Sequence, residues 1–388
     1  MKTAAQLALW LLPALAAACG PAATSTAGAT AATGDATAAA DVTPTTDAVA
    51  DVAADAAADV NASPFALPGA DTTVDAYTHT PIYFTGTDNQ RTVDAPANFP
   101  ATGSYQTITL HLKLSCPKDG CDPYDRLGSL GLVTAKSADG QSDTVLELVR
   151  FITPFHVGAS WDLDVTDLRP LLVGNVTLRA FIDTWVGPGS SYGGGWLLTA
   201  SFEFKGGVPA HKPLAVLPVW TPHGAVFGDP AKPLATSTPP QHLPLPTGAT
   251  SYTLRALITG HGQGNASNCA EFCAKTHTLT AGTTPYTKKL WRTDCATAGA
   301  PGQQGTYQYA RAGWCPGADV LPWSVDVSAD LLGQATADLA WDVEAWTNTC
   351  RPDALPCTGC TLGTSCAYDG GAHTEPYYQV SALLIAFE

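Results

Sequence analysis

From Tyr105 onward, apolar side chains recur at every second position. In Tyr105–Leu114, read YQTITLHLKL, the residues Ile108, Leu110, Leu112 and Leu114 fall on one face of an extended chain. The same alternation marks Val145–Ile152, Val176–Trp185, Trp196–Lys205, Leu214–Trp220, Tyr252–Thr259, Lys275–Leu279, Trp323–Val327, Ala337–Thr347 and Tyr377–Phe387. No segment carries a long apolar stripe at helical spacing. Short strands parted by Gly and Pro predict an all-β protein of sandwich, jelly-roll or barrel domains. Gly206-Gly207-Val208-Pro209, with Pro213 beyond it, breaks the pattern near the middle. The break divides the folded region into an N-terminal domain over 76–208 and a C-terminal domain over 209–388.

Ahead of the strands the pattern changes twice. Lys2 precedes an apolar run from Ala4 to Ala18, which ends in small residues before Cys19-Gly20. A basic start, a short apolar stretch and a small-residue end predict a signal peptide over 1–18, too short to span a bilayer. Leu15-Ala16-Ala17-Ala18-Cys19 resembles a bacterial lipobox, with Leu one place further from Cys than usual. That implies an acylated Cys19 and a lipoprotein of the cell envelope; cleavage and free secretion is the alternative. Residues 19–75 are Ala, Thr, Asp, Pro and Gly with almost no aromatics, a composition that cannot bury a core. They are read as a disordered spacer, and about 55 such residues span about 40 Å on average.

Composition narrows the function. The formal charge is −15 and charged residues are only 14% of the chain, with no basic patch to neutralise phosphates. Nucleic acid is therefore not an expected partner. The 11 cysteines suit an oxidising compartment. With Cys19 set aside, ten remain to pair. Cys350, Cys357, Cys360 and Cys366 read as two disulfides of open connectivity rather than a zinc site. The nine histidines offer no H-x-H, H-x-x-x-H or H-E-x-x-H spacing, so no metal site and no cofactor is predicted.

Two glycine motifs fail on context. Gly189-Ser190-Ser191-Tyr192-Gly193 fits the nucleophile pattern G-x-S-x-G, but a strand rather than a helix follows, which predicts a glycine-rich hairpin. Gly260-His261-Gly262-Gln263-Gly264 lacks the helix that a phosphate loop requires. Two tight cysteine pairs say more. Cys116-Pro117-Lys118-Asp119-Gly120-Cys121 runs into Asp122-Pro123-Tyr124-Asp125-Arg126, and Cys269-Ala270-Glu271-Phe272-Cys273 encloses an acid. Closing so short a ring adds only about 2 kcal/mol by loop entropy. Its larger effect is to fix backbone beside a carboxylate. One such loop in each half suggests a site shared between domains. Asp183, beside Thr184-Trp185 at the end of a strand, is a third acid.

At these residues the chain resembles the peptide-N-glycosidase F family of bacterial glycan-releasing amidases. The matching segments, in family order, are Cys116–Arg126, Arg150–Gly158, Asp164–Leu168, Asp183–Trp185, Cys269–Cys273, Thr276–Thr278 and Arg311–Gly317. The resemblance implies two side-by-side antiparallel jelly rolls with the site in the cleft between them. It also implies disulfides Cys116–Cys121, Cys269–Cys273 and Cys295–Cys315, a principal catalytic Asp125 and a second essential acid, Glu271. The family's third acid, a glutamate, falls on Asp183, one methylene shorter. Arg126 and Arg311 match cleft arginines, Trp185 and Trp314 are retained, and His156 and His261 stand where the family has tryptophan. With Asp122 and Tyr124, these residues form the expected substrate-binding set.

The expected reaction is hydrolysis of the amide between asparagine and the first N-acetylglucosamine (GlcNAc) of an N-glycan, with glycosylated proteins or peptides as partners of a monomeric enzyme. Asp125 would orient or deprotonate the water, and Glu271 would serve the departing nitrogen. Tyr124, Trp185, Phe272 and Trp314 offer ring faces to sugars. A non-catalytic glycan-binding surface lipoprotein is the rival reading, supported by Asp183, His156 and His261. A two-carboxylate glycosidase is a third, and it would leave asparagine glycosylated.

Overall fold

A computed structural model describes residues 64–138, 143–262, 269–348 and 375–388. The expected signal peptide, Cys19 and the four-cysteine segment lie outside the described residues. The N-terminal strands are β1 (Thr72–Ile82), β2 (Thr92–Phe99), β3 (Tyr105–Ser115), β4 (Leu127–Ala135), β5 (Thr144–Ile152), β6 (Ala159–Asp164), β7 (Gly174–Ile182) and β8 (Trp196–Gly206). They form two antiparallel sheets, β1-β8-β3-β6 and β2-β7-β4-β5. The C-terminal strands are β9 (Pro213–Val226), β10 (Gln241–Pro244), β11 (Ser251–His261), β12 (Thr276–Ala281), β13 (Thr284–Lys289), β14 (Trp323–Asp326), β15 (Thr336–Val343) and β16 (Tyr377–Phe387). They form β14-β11-β16-β9 and β10-β15-β12-β13. The result is a pair of jelly rolls. No helix among the described residues is long and apolar enough to cross a membrane.

In the first sandwich β3, β7 and β8 send alternate residues inward. Ile108, Leu110, Leu112 and Leu114 of β3 meet Leu130, Leu178 and Phe202 in one core. β16 behaves differently. Its Tyr378, Val380, Ala382, Leu384 and Ala386 belong to the C-terminal core, whereas Leu383, Ile385 and Phe387 belong to the N-terminal one. A strand buried on both faces needs a nearly continuous apolar sequence, which is why YYQVSALLIAF carries so few polar residues.

Backbone and buried charge complete the junction. Residues 317–320 lie along the free edge of β5, with Gly317 N–H donating to Ile152, Ile152 N–H to Ala318 and Val320 N–H to Arg150. Arg150 is 1% exposed, and its guanidinium donates to both oxygens of Glu147, to Thr259 Oγ1 and to the Gln379 carbonyl. In return, Arg255 of β11 donates to the Leu148 carbonyl at 3.0 Å.

Two local expectations need correction. β1 opens at Thr72, and Pro68 bridges to Ser104, so the last residues of the stretch read as spacer belong to the fold. The glycine-rich Gly189–Gly193 stretch is not a hairpin, because it joins β7 to β8 in the facing sheet. Gly193 has a positive φ of 140°, and a Cβ there would stand 2.3 Å from the Cys121 carbonyl oxygen. That glycine lets the crossover lie against the disulfide loop.

Candidate active site

Antiparallel pairing brings the chemistry to one end of both sandwiches. Asp125 and Arg126 immediately precede β4, while Asp183 immediately follows β7. These ends oppose each other because β4 pairs with β7, and Asp183 N–H donates to the Leu127 carbonyl at 2.9 Å. In the second sandwich, Glu271 lies between β11 and β12, and Tyr377 opens β16 opposite His261. Disulfides Cys116–Cys121, Cys269–Cys273 and Cys295–Cys315 are formed. Gly260 brings the Glu271 loop close, since a Cβ there would stand 2.1 Å from the Ala270 carbonyl oxygen.

Arg311 joins the two acids. Its Nη2 is 3.7 Å from Asp125 Oδ2 and its Nε is 3.4 Å from Glu271 Oε1. Acids from separate domains thus touch one guanidinium. Arg311 is itself buried, donating to the carbonyls of Thr306 and Tyr309 and stacking near the rings of Phe272 and Trp314. It is an interior strut between carboxylates. Burial raises Asp125 to about 6, opposed mainly by Arg311. Burial and the neighbouring Asp125 charge raise Glu271 to about 8, with Arg311 again opposing. Between those values Asp125 is ionised and Glu271 holds its proton.

The other predicted residues divide between rim and interior. Tyr124 and Trp185 are each 52% exposed. Arg126 stacks over Tyr124 at 5.0 Å and donates through Nε to Asp122 at 2.9 Å. Its charge favours the ionised forms of both Asp125 and Asp183. His156 is exposed, at a φ of 63°, with its N–H on the Asp122 carbonyl. Asp183 pairs with Arg91 at 3.1 Å, and burial raises its carboxyl above the usual range against that pull.

Two predicted substrate contacts are interior instead. Asp122 is 0% exposed and accepts hydrogen bonds from Tyr124 N–H, Arg126 Nε and Thr184 Oγ1. With both oxygens occupied it holds the loop and has no face for a sugar. Trp314 is 3% exposed, and its indole N–H donates to the Gly260 carbonyl, so its ring packs the domain junction with Ile152, Leu257 and Val320. His261 stacks between Trp314 and Tyr377, and burial with the Arg150 charge lowers it to about 3, so it is neutral.

Sequence reasoning missed Arg91 and Tyr377. Arg91 pairs with Asp183 and lies 4.3 Å over the Trp185 ring, which fixes both. The Tyr377 phenol is raised to about 12 by burial and then by the charges of Asp183 and Glu271, and its ring stacks on His261. Neither sits near a cysteine or in a recognisable motif, so only the pairing of β11 with β16 and the loop after β1 could have pointed to them. Among the described residues no group of three or more His, Cys, Asp or Glu is arranged to hold a metal ion.

Comparison with known proteins agrees with this architecture. Residues 73–191 match the family model described as peptide-N-glycosidase F, N terminal, and residues 232–351 match peptide-N-glycosidase F, C terminal. The chain is 29% identical over 332 residues to peptide-N(4)-(N-acetyl-beta-D-glucosaminyl)asparagine amidase F of Elizabethkingia miricola, covering 82% of this chain and 84% of the relative. The solved structure of PNGase F, a glycosylasparaginase from Flavobacterium meningosepticum, superposes with a TM-score of 0.65 at 24% identity, over 82% of this chain and 96% of that one. PNGF-II superposes at 0.61 with 17% identity, over 81% of this chain and 65% of that one. With both domain models matched in order and the double jelly roll in place, the chain belongs to the peptide-N-glycosidase F family.

Proposed function

We propose that this protein hydrolyses the amide joining asparagine to the first GlcNAc of N-linked glycans. The observation that carries the reading is the Asp125–Arg311–Glu271 contact, in which a half-buried acid from one domain and a buried acid from the other meet one guanidinium. Ionised Asp125 takes a proton from water as its oxygen bonds to the asparagine side-chain carbon. The carbon–nitrogen bond breaks, and protonated Glu271 gives its proton to the departing glycosylamine nitrogen. Aspartate remains on the peptide and the whole glycan leaves. A base near 6 and an acid near 8 suit neutral pH far better than ordinary carboxyls near 4. Arg311 keeps the acids placed, and Arg126 is the more exposed cation for charge growing on the carbonyl oxygen. Tyr124 and Trp185, on the rim, present ring faces for the sugars.

The test incubates the full chain with an N-glycosylated peptide in heavy-oxygen water. Mass spectrometry should find Asp with one heavy oxygen in place of Asn, and an intact released glycan. Asn still bearing a single GlcNAc would identify a glycosidase instead. Unchanged glycopeptide that nevertheless co-elutes with the protein would identify a glycan-binding module.

A further inference from the structure

A second cavity opens beside the candidate site, on the outer face of β2-β7-β4-β5. It measures 420 Å³ and is lined by Thr92, Leu127, Ser129, Phe181, Thr221 and Gln379, among others. Such a volume lies within the range of about 300–1,000 Å³ that small ligands occupy. One wall is N-terminal sheet, and the other is the C-terminal Thr221–Pro222 segment with Gln379.

Two strands lead into it from the acids. Arg179 and Phe181 of β7, and Asp183 just past its end, alternate onto the same face, so the backbones of Phe181 and Asp183 are one pleat, about 7 Å, apart. On β16, Tyr377 and Gln379 share a face. Both side chains border exposed Gly224, where a Cβ would stand 3.3 Å from the Tyr377 ring and 3.7 Å from Gln379 Oε1. A side chain at Gly224 would stand in the way between site and cavity. Tyr377 on the side of the acids and Gln379 in the cavity wall thus flank one glycine, which leaves the way from the site into the groove free of a side chain at that point.

The lining selects for a neutral ligand. Arg179 is bound at Nε and Nη2 by both oxygens of Asp94 and by Asp143, and Glu147 is held by Arg150. Among the described lining residues no cation is left to attract an anion. Beside these paired charges the lining offers one aromatic ring, threonine and serine hydroxyls, a glutamine amide and the aliphatic Leu127, Val145 and Pro222. A ring face for sugar C–H groups beside neutral donors and acceptors is carbohydrate-binding chemistry. We propose that this groove holds the outer, neutral hexose arms of the glycan whose first sugar sits at the acids. The inference rests on the amidase reading and extends it to the size of the substrate.

The experiment compares two glycopeptides with one peptide sequence, one bearing only two GlcNAc residues and one bearing the same core with branched oligomannose. Thr221→Trp fills the groove from an exposed position, and Phe181→Ala removes the ring. The wild-type chain should prefer the extended glycan. Each variant should lose about tenfold in kcat/KM on it while cutting the short one as before. Variants that cut the extended glycan at the wild-type rate would overturn the groove assignment. If the wild-type chain cuts neither peptide, the amidase reading has failed and the groove is tested alone. Calorimetric titration with the free oligomannose should then show binding that Thr221→Trp abolishes, and no binding to the wild-type chain would overturn it.

Discussion

Asp125 and Glu271 have the same functional group and sit against the same arginine, yet they titrate apart. Asp125 keeps 20% of its side chain exposed whereas Glu271 keeps 8%, and Glu271 also feels the Asp125 charge. The rate should therefore trace a bell in pH. It rises as Asp125 ionises near 6 and falls as Glu271 loses its proton near 8. Glu271→Gln should remove the alkaline limb and cost about 10²–10⁴ in kcat. A wild-type profile flat from pH 5 to about 9 would reject the pairing of roles. The same acid should weaken the fold. Folded Glu271 holds its proton to about 8, against 4.5 for a free glutamate. Between those values the folded chain binds the extra proton, so stability declines as pH rises across the window. Glu271→Gln should thus raise Tm by at least about 2–4 °C at pH 8 and by almost nothing below pH 4.5. A Tm difference that is constant with pH would contradict the burial argument.

At the scale of elements, the Cys269–Cys273 loop holds Glu271 in place. Replacing both cysteines by serine forfeits about 2 kcal/mol of loop entropy. The expected loss in kcat/KM is larger than tenfold, because Glu271 leaves its place against Arg311. Thermal melts and kinetics on the double variant check the imbalance. Local sequence carried this loop and the Cys116–Arg126 loop because paired cysteines and an acid cluster within a few residues in each. The strands were legible where one face is apolar, as in β3 and β8, or where both are, as in β16. Of the strands left unread, β1, β2, β6, β10 and β13 are sheet edges, where polar residues or Pro96 blur the alternation. β4 is central, but Gly128 and Gly131 hide it. A Cβ at Gly128 would stand 2.2 Å from the Phe151 ring, so glycine there is packing rather than a turn. Asp122 misled for the opposite reason. Nothing in CDPYDR distinguishes an acid that faces the cleft from one that three donors hold inside.

For the whole molecule, the junction decides whether two sandwiches behave as one. Arg150→Ala leaves Glu147 buried without its bidentate partner and should cost about 3–5 kcal/mol. It also removes the bonds to Thr259 and Gln379, so calorimetry should show one transition splitting into two. A single, unshifted transition would show that the apolar contacts alone couple the domains. β16 carries a further consequence, for the order of assembly. Leu383, Ile385 and Phe387 follow the whole second sandwich in the sequence, yet they complete the interior of the domain that begins at β1. A ribosome must therefore reach β16, past every other strand of both sandwiches, before the first of them can close. Trimming those few residues would leave the early half with an open interior, however perfect its own sequence.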